Sequence, residues 1–347
     1  MTISTPDVLR YTAFSADPAG GNPAGVVLDA SGLDDATMLA LAAQVGYSET
    51  AFLTAPPDDA APPDAGSGSP RAFTVRYFSP KAEVSFCGHA TVAAAVALAE
   101  RFGPGELLFS TPAGPVPVTV TADGTAADSA SGAAPGSASE SAPGPASGSA
   151  PGATPGSVPG SASGPTPEPG ALHATLTSVP PYVADAAQAD VTEALAALDW
   201  QADDLDPALP PRIAYAGARH LVLAVSSRAR LADLAYDFDR LAALMRRLDL
   251  TTLQLVWRES GTVFHVRDPF PVGGVVEDPA TGAAAAALGA YLRELGLVES
   301  DALLTLHQGH DLGRPSTLAV ELRDGDPRVR VSGTAVRIPA EDLSPVA

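Results

Sequence analysis

Residues 75–101 read VRYFSPKAEVSFCGHATVAAAVALAER. Val75 and Tyr77 alternate with Arg76 and Phe78, the period-two pattern of a strand, and Ser79-Pro80 turns the chain. Ser85-Phe86-Cys87-Gly88-His89 then leads into Ala90 to Glu100, which is apolar on nearly every face. A helix without a polar face belongs inside a core rather than on a surface. Its unpaired amino-terminal N–H groups would point into the space beyond Gly88 and His89, a ready place for an anion. Gly88 lacks Cβ and lets a ligand approach the backbone.

A second unit repeats this plan near the other end of the chain. Thr262 to Val266 reads as a strand and Pro269 to Gly274 as turns. Glu277-Asp278-Pro279-Ala280-Thr281-Gly282 opens an Ala-rich helix over Ala283 to Leu295, with a proline suited to a first helical turn. The repetition predicts a pseudo-duplicated fold whose site lies where the two helix starts meet.

At 347 residues the chain exceeds what one core usually holds, so two domains are expected, 1–118 and 119–347. The formal charge of −20 and pI near 4.5 exclude a basic nucleic-acid surface, and Lys81 is the only lysine. A single cysteine forms no internal disulfide and fits a reducing compartment. The opening MTISTPDVLRYTAF lacks a basic segment followed by an apolar core, and no apolar run reaches the roughly 18 to 20 residues a membrane helix needs. The cytoplasm is the expected location.

In chain order, Val8 to Phe14 reads as a strand, Asp34 to Val45 as an amphipathic helix ended by Gly46, and Tyr47 to Leu53 as a β-rich segment with Glu49 at its start. Residues 122–170 are almost wholly Ala, Ser, Gly and Pro and predict a disordered insertion interrupting a hairpin, with no catalytic role. Beyond it come a strand (Ala171 to Leu176), a helix (Val191 to Leu198), a strand (Ala218 to Val225), one long helix (Leu231 to Leu248) and a strand (Thr252 to Trp257). Closing strands follow at Leu303 to His307, Leu318 to Leu322 and Val329 to Val331. The mixture without strict βαβ alternation favours an α+β fold.

The motifs GNPAGVV (Gly21 to Val27), YSETAF (Tyr47 to Phe52), FCGHATVAAA (Phe86 to Ala95), GVVEDPATGAAAAALGAYL (Gly274 to Leu292) and QGHDLGRPS (Gln308 to Ser316) together resemble the PhzF-type phenazine biosynthesis proteins of secondary metabolism. The resemblance runs from about Asp7 to about Ile338, apart from the insertion. It implies the diaminopimelate epimerase fold: two similar domains, each a curved mixed sheet or barrel around a central helix, with the last strand crossing to the first domain. It also implies a homodimer, an active site between the domains, no cofactor, and isomerisation of a small carboxylate by a proton shift. Glu49 corresponds to the family's catalytic carboxylate and His89 and Asp278 to its site His and Asp. Gly88, Thr281, Gly282 and Ala283 fall at the helix starts that hold substrate. Ala283 replaces a serine frequent in the family, which keeps a backbone N–H and loses a hydroxyl.

The residue types fit that chemistry on their own terms. Moving a proton between carbons needs a group that takes it and returns it, and a carboxylate in a dry cleft is suited to both. Each residue also has a plainer reading: Glu49 as a surface glutamate at a strand edge, His89 as a hydrogen-bonding first-turn residue, Asp278 as a helix cap. Related epimerases and proline racemases of this fold use two facing thiols. Cys87 occupies the first position, but there is no second cysteine, and Cys87 is read as a small buried packing residue. His173, His220, His265, His307 and His310 lack metal-ligand spacing, so no zinc site is expected, and there is no dinucleotide fingerprint. The competing functional readings are a small-acid-binding or scaffold protein that keeps the fold without catalysis, and a secondary-metabolite enzyme making a different bond.

Overall fold

The computed structural model describes residues 7–54, 71–122 and 170–339; most of the insertion over 122–170 lies outside them. The first half contains β1 (Leu9–Ala13), β2 (Asn22–Val27), α1 (Asp35–Val45), β3 (Glu49–Thr54), β4 (Arg71–Phe78) and β5 (Glu83–Val84). It continues through α2 (Gly88–Phe102), β6 (Gly105–Thr111), β7 (Gly114–Ala122) and β8 (Leu172–Thr177). The second half runs β9 (Tyr182–Asp185), α3 (Gln188–Leu198), β10 (Arg212–Tyr215), β11 (Arg219–Ala224), α4 (Arg228–Ala232) and α5 (Phe238–Leu248). After these come β12 (Thr252–Arg258), β13 (Val263–Pro269), β14 (Glu277–Asp278), α6 (Gly282–Glu294), β15 (Ala302–Gln308), β16 (Ser316–Arg323) and β17 (Asp326–Arg337).

The duplication is explicit in the strand pairing. From β1 the neighbours β2, β3, β4, β6, β7 and β8 follow with pairings antiparallel, parallel, antiparallel, parallel, antiparallel and antiparallel. From β10 the neighbours β11, β12, β13, β15, β16 and β17 follow in the same sequence of senses. β17 also pairs with β8 and β1, closing the first sheet into an eight-stranded barrel, and β9 pairs with β10 at the other end of the second. The fold is α+β, with one helix inside each curved sheet.

Those helices are α2 and α6. Every α2 residue from His89 to Ala99 is buried, as is α6 from Ala284 to Leu292. Their alanines have a steric reason: strands wrapped closely around a helix leave room for short side chains only. Gly289 takes this to its limit, since a Cβ there would lie 2.7 Å from Val320 Cγ1. Outside the two curved sheets, α1 covers Phe52 and Phe78 with Met38 and Leu41, and α3 and α5 bury Trp200, Leu223 and Leu255 in a separate cluster.

The single helix expected over Leu231 to Leu248 is two. Asp233 leaves helical geometry, and the Asp237 carboxylate accepts from Arg240 N to cap α5, so local side-chain bonding outweighs the continuous apolar spacing. β6, β7, β9 and β10 had no counterpart among the expected strands, and β17 is far longer than Val329 to Val331 because it serves β16, β8 and β1 in turn. The boundary expected between residues 118 and 119 falls inside β7. Ala122 pairs directly with Leu172, so the insertion joins two adjacent antiparallel strands.

Candidate active site

The two halves are laced together beside the helix starts. Arg314 donates to the carbonyls of Gly20 and Gly21 at 2.6 and 2.8 Å, and Thr317 N in β16 donates to Phe14 O just beyond β1. Gly21 has φ +64°, and a Cβ there would sit 2.4 Å from Ala13 O, so only glycine serves. Asn22, the next residue, carries the central contact. Its amide nitrogen lies 2.8 Å from Asp278 Oδ1, 3.1 Å from Ala280 O and 3.1 Å from His89 Nδ1. The start of α2 and the approach to α6 therefore meet on one side chain.

Glu49 reaches this point because Gly46, in left-handed geometry with φ 75°, ends α1 and turns the chain into β3. Its side chain is 16% exposed and places Oε2 3.4 Å from His89 Nε2. Ser48 Oγ lies 3.3 Å from the same nitrogen. Two acceptors, Asp278 Oδ1 and Ala280 O, fix the Asn22 amide with its N–H groups outward.

Cys87 is buried, as expected, but its environment is not apolar. Its Sγ lies 3.6 Å from Glu49 Oε2 and 3.4 and 3.7 Å from the two ring nitrogens of His89. Burial, followed by the Glu49 charge, pushes the thiol well above its ordinary range. The residue stands at the cap position of α2 without capping it, which leaves the sulfur facing the carboxylate and imidazole.

The second half is tied down more tightly. Asp278 Oδ1 accepts from Asn22, and Oδ2 accepts from Thr281 Oγ1 at 2.6 Å. The Gln308 amide donates to Asp278 O and Thr281 Oγ1 and accepts from Thr281 N at 2.9 Å. Glu277, the neighbouring residue, is held by Arg267 in a buried ion pair at 2.5 Å. Desolvation raises the Asp278 carboxyl to about 6, against the opposing effects of His89 and its hydrogen bonds.

The structure thus brings Glu49, His89 and Asp278 together, with Gly88 and Gly282 opening the two helices. A Cβ at Gly88 would meet nothing within 4 Å. Both donors of Thr281 are taken up within the protein, which leaves the first-turn N–H groups of Gly282 and Ala283 for a ligand. Asn22, Ser48 and Gln308 were not singled out from sequence, and Cys87 was read only as packing. Asn22 and Gln308 lie inside the motifs GNPAGVV and QGHDLGRPS, the one signal that could have found them, but their partners are separated by up to 258 residues.

The profile of the phenazine biosynthesis-like proteins, PhzC-PhzF, matches residues 11–153 and 166–340. The isomerase YddE of Escherichia coli K12, named as uncharacterized, is 29% identical over 95% of this chain and 96% of its own. Among solved structures, a Bacillus anthracis PhzF-family phenazine biosynthesis protein aligns with a TM-score of 0.72 at 22% identity, covering 97% of this chain and 98% of its own. A structure described as a predicted epimerase from Pseudomonas aeruginosa aligns with a TM-score of 0.71 at 25% identity, over 98% of this chain and 100% of its own.

Proposed function

We propose that this chain, which belongs to the phenazine biosynthesis-like PhzC-PhzF family, is an isomerase or epimerase that moves a proton on a small carboxylate between its two halves. The observation that carries the reading is the cluster itself: Glu49 Oε2 stands 3.4 Å from His89 Nε2, and His89 is bridged through Asn22 to Asp278.

In this reading the substrate carboxylate lies against the amino ends of α2 and α6, where unpaired N–H groups and the helix dipoles favour negative charge. Glu49 takes a proton from a carbon activated by that carboxylate or by conjugation with it. The electron pair left behind spreads onto oxygen, where the same N–H groups stabilise it. The proton returns from Glu49 to a different carbon, or to the other face of the same one. No net proton, electron or atom is gained. His89, with Nε2 3.4 Å from Glu49 Oε2, orients that carboxylate. Asp278, with its carboxyl near 6, keeps a share of its protons at neutral pH and can donate a hydrogen bond from the opposite wall.

The test is a screen of small carboxylates in heavy water, read by mass shift. Wild-type protein should place deuterium on a carbon of at least one of them, and Glu49→Gln should bind that compound without exchange. Equal exchange by wild type and Glu49→Gln would remove Glu49 from the reaction. Binding by both without exchange would leave a small-acid-binding protein.

A further inference from the structure

We propose that Glu49, Cys87 and His89 form a three-ligand site for Zn²⁺, and that the bound metal blocks the proton transfer assigned to Glu49. Tetrahedral zinc holds sulfur at about 2.3 Å, imidazole nitrogen at about 2.0–2.1 Å and carboxylate oxygen at about 2.0–2.2 Å. At the tetrahedral angle those bonds require S···N and S···O separations of about 3.6 Å and an N···O separation of about 3.4 Å. The three atoms here stand at 3.7 Å (Cys87 Sγ to His89 Nε2), 3.6 Å (Cys87 Sγ to Glu49 Oε2) and 3.4 Å (His89 Nε2 to Glu49 Oε2). The triangle has the dimensions of one face of a zinc tetrahedron, and the fourth position is left to water.

The donor chemistry agrees with the dimensions. One sulfur, one imidazole and one carboxylate form a set that zinc favours and that magnesium or calcium, which take oxygen, do not. Thiolate and carboxylate together neutralise the ion. On coordination the Cys87 thiol gives its proton to solvent and the zinc–sulfur bond replaces it, with no redox step. His89 would bind through Nε2 with its ring proton on Nδ1, and Asn22 keeps Asp278 Oδ1 and Ala280 O as the acceptors of its two N–H groups. Glu49, the most exposed of the three, gives the ion its way in. The expectation of no zinc site rested on the other histidines. Of these, His265, His307 and His310 do cluster, with ring centroids 5.1 to 6.2 Å apart, but their nitrogens do not converge as this triangle does.

The binding claim stands on geometry alone, whereas the inhibition rests on the proposed proton transfer. CoCl₂ titrated into the metal-free protein without oxygen should give a thiolate-to-cobalt charge-transfer band saturating at one equivalent and displaced by ZnCl₂. Cys87→Ser, nearly the same size, should lose the band. Glu49→Gln and His89→Gln should weaken Zn²⁺ binding about ten-fold or more, with unchanged circular dichroism. A double His265→Ala, His307→Ala variant should bind as wild type does. No band in wild type, or Zn²⁺ binding as tight in Cys87→Ser as in wild type, would overturn the site, and loss only in the double histidine variant would move the metal there. One equivalent of Zn²⁺ should stop deuterium exchange in wild type. Exchange that persists with the cobalt band present would overturn the inhibition and leave the site, and a protein with no exchange at all but a cobalt band would lose only the proton-transfer reading.

Discussion

Glu49 and Thr252 occupy matching places in the two halves. Each opens the strand that runs parallel to its neighbour, Glu49 beside Ala24 and Thr252 beside His220. Glu49 is partly exposed and makes only long contacts of 3.4 and 3.6 Å. Thr252 is 1% exposed, and its hydroxyl accepts from His220 Nδ1 and donates to Asp268 Oδ1, both at 2.8 Å. Burial lowers His220 to about 3 and pushes Asp268 up, so desolvation opposes charge on both. The backbone register was copied; the chemistry was not. One copy places a partly exposed carboxylate at its strand start and the other buries a polar chain within its curved sheet.

The strongest way to break this contrast is to exchange the two positions' side chains for inert ones. Glu49→Gln should lower deuterium exchange by about 10²–10⁴-fold, the usual contribution of a positioned acid–base group, while leaving the urea midpoint close to wild type. Thr252→Val should leave the exchange rate unchanged. If Thr252→Val also abolished exchange, the second half would be part of the chemistry rather than its support.

Asp278 joins the two regions, and its titration sharpens the comparison. Its folded carboxyl titrates near 6 against an ordinary value near 4, so the protonated form is favoured in the native state. The stability this contributes is fully present below about pH 4 and is lost as pH rises to about 6, a change of roughly 3 kcal/mol. Urea midpoints taken between those pH values should fall in wild type and stay flatter in Asp278→Asn; identical slopes would remove Asp278 as the cause.

The sealed network predicts a smaller, structural effect. Thr252→Val leaves His220 Nδ1 and Asp268 Oδ1 without their shared partner and should cost about 1–3 kcal/mol, read by urea unfolding. Smallest of all should be the stability changes from Gly88→Ala and Gly282→Ala. A Cβ meets nothing within 4 Å at the first and only Phe14 Cζ at 3.6 Å at the second, so both should melt within about 0.5 kcal/mol of wild type. Each should nevertheless raise KM, because the methyl group stands where the substrate carboxylate approaches the helix.

The same contrast decides what could be read from sequence. The two Ala-rich helices and the motifs around them specify their surroundings locally, and both helices lie within a residue or two of where spacing and composition place them. The meeting of Glu49, His89 and Asp278 was expected because their motifs carry them. Asn22 was not, because one amide donating to Asp278 and Ala280 while lying 3.1 Å from His89 Nδ1 is a property of packed halves rather than of any segment. Cys87 was half legible. Its burial follows from composition, but the polar company it keeps follows from the start of β3. The break between α4 and α5 was hidden for a third reason: a carboxylate cap at Asp237 overrides an apolar pattern that runs straight across it.

Since β17 supplies a pairing edge to β16, β8 and β1 at once, the earliest-made barrel waits on the latest-made strand. During synthesis the cavity around α2 stays open along that seam until everything through Arg337 has left the ribosome. The enzyme is thereby completed in a single late event, with neither half finishing ahead of the other.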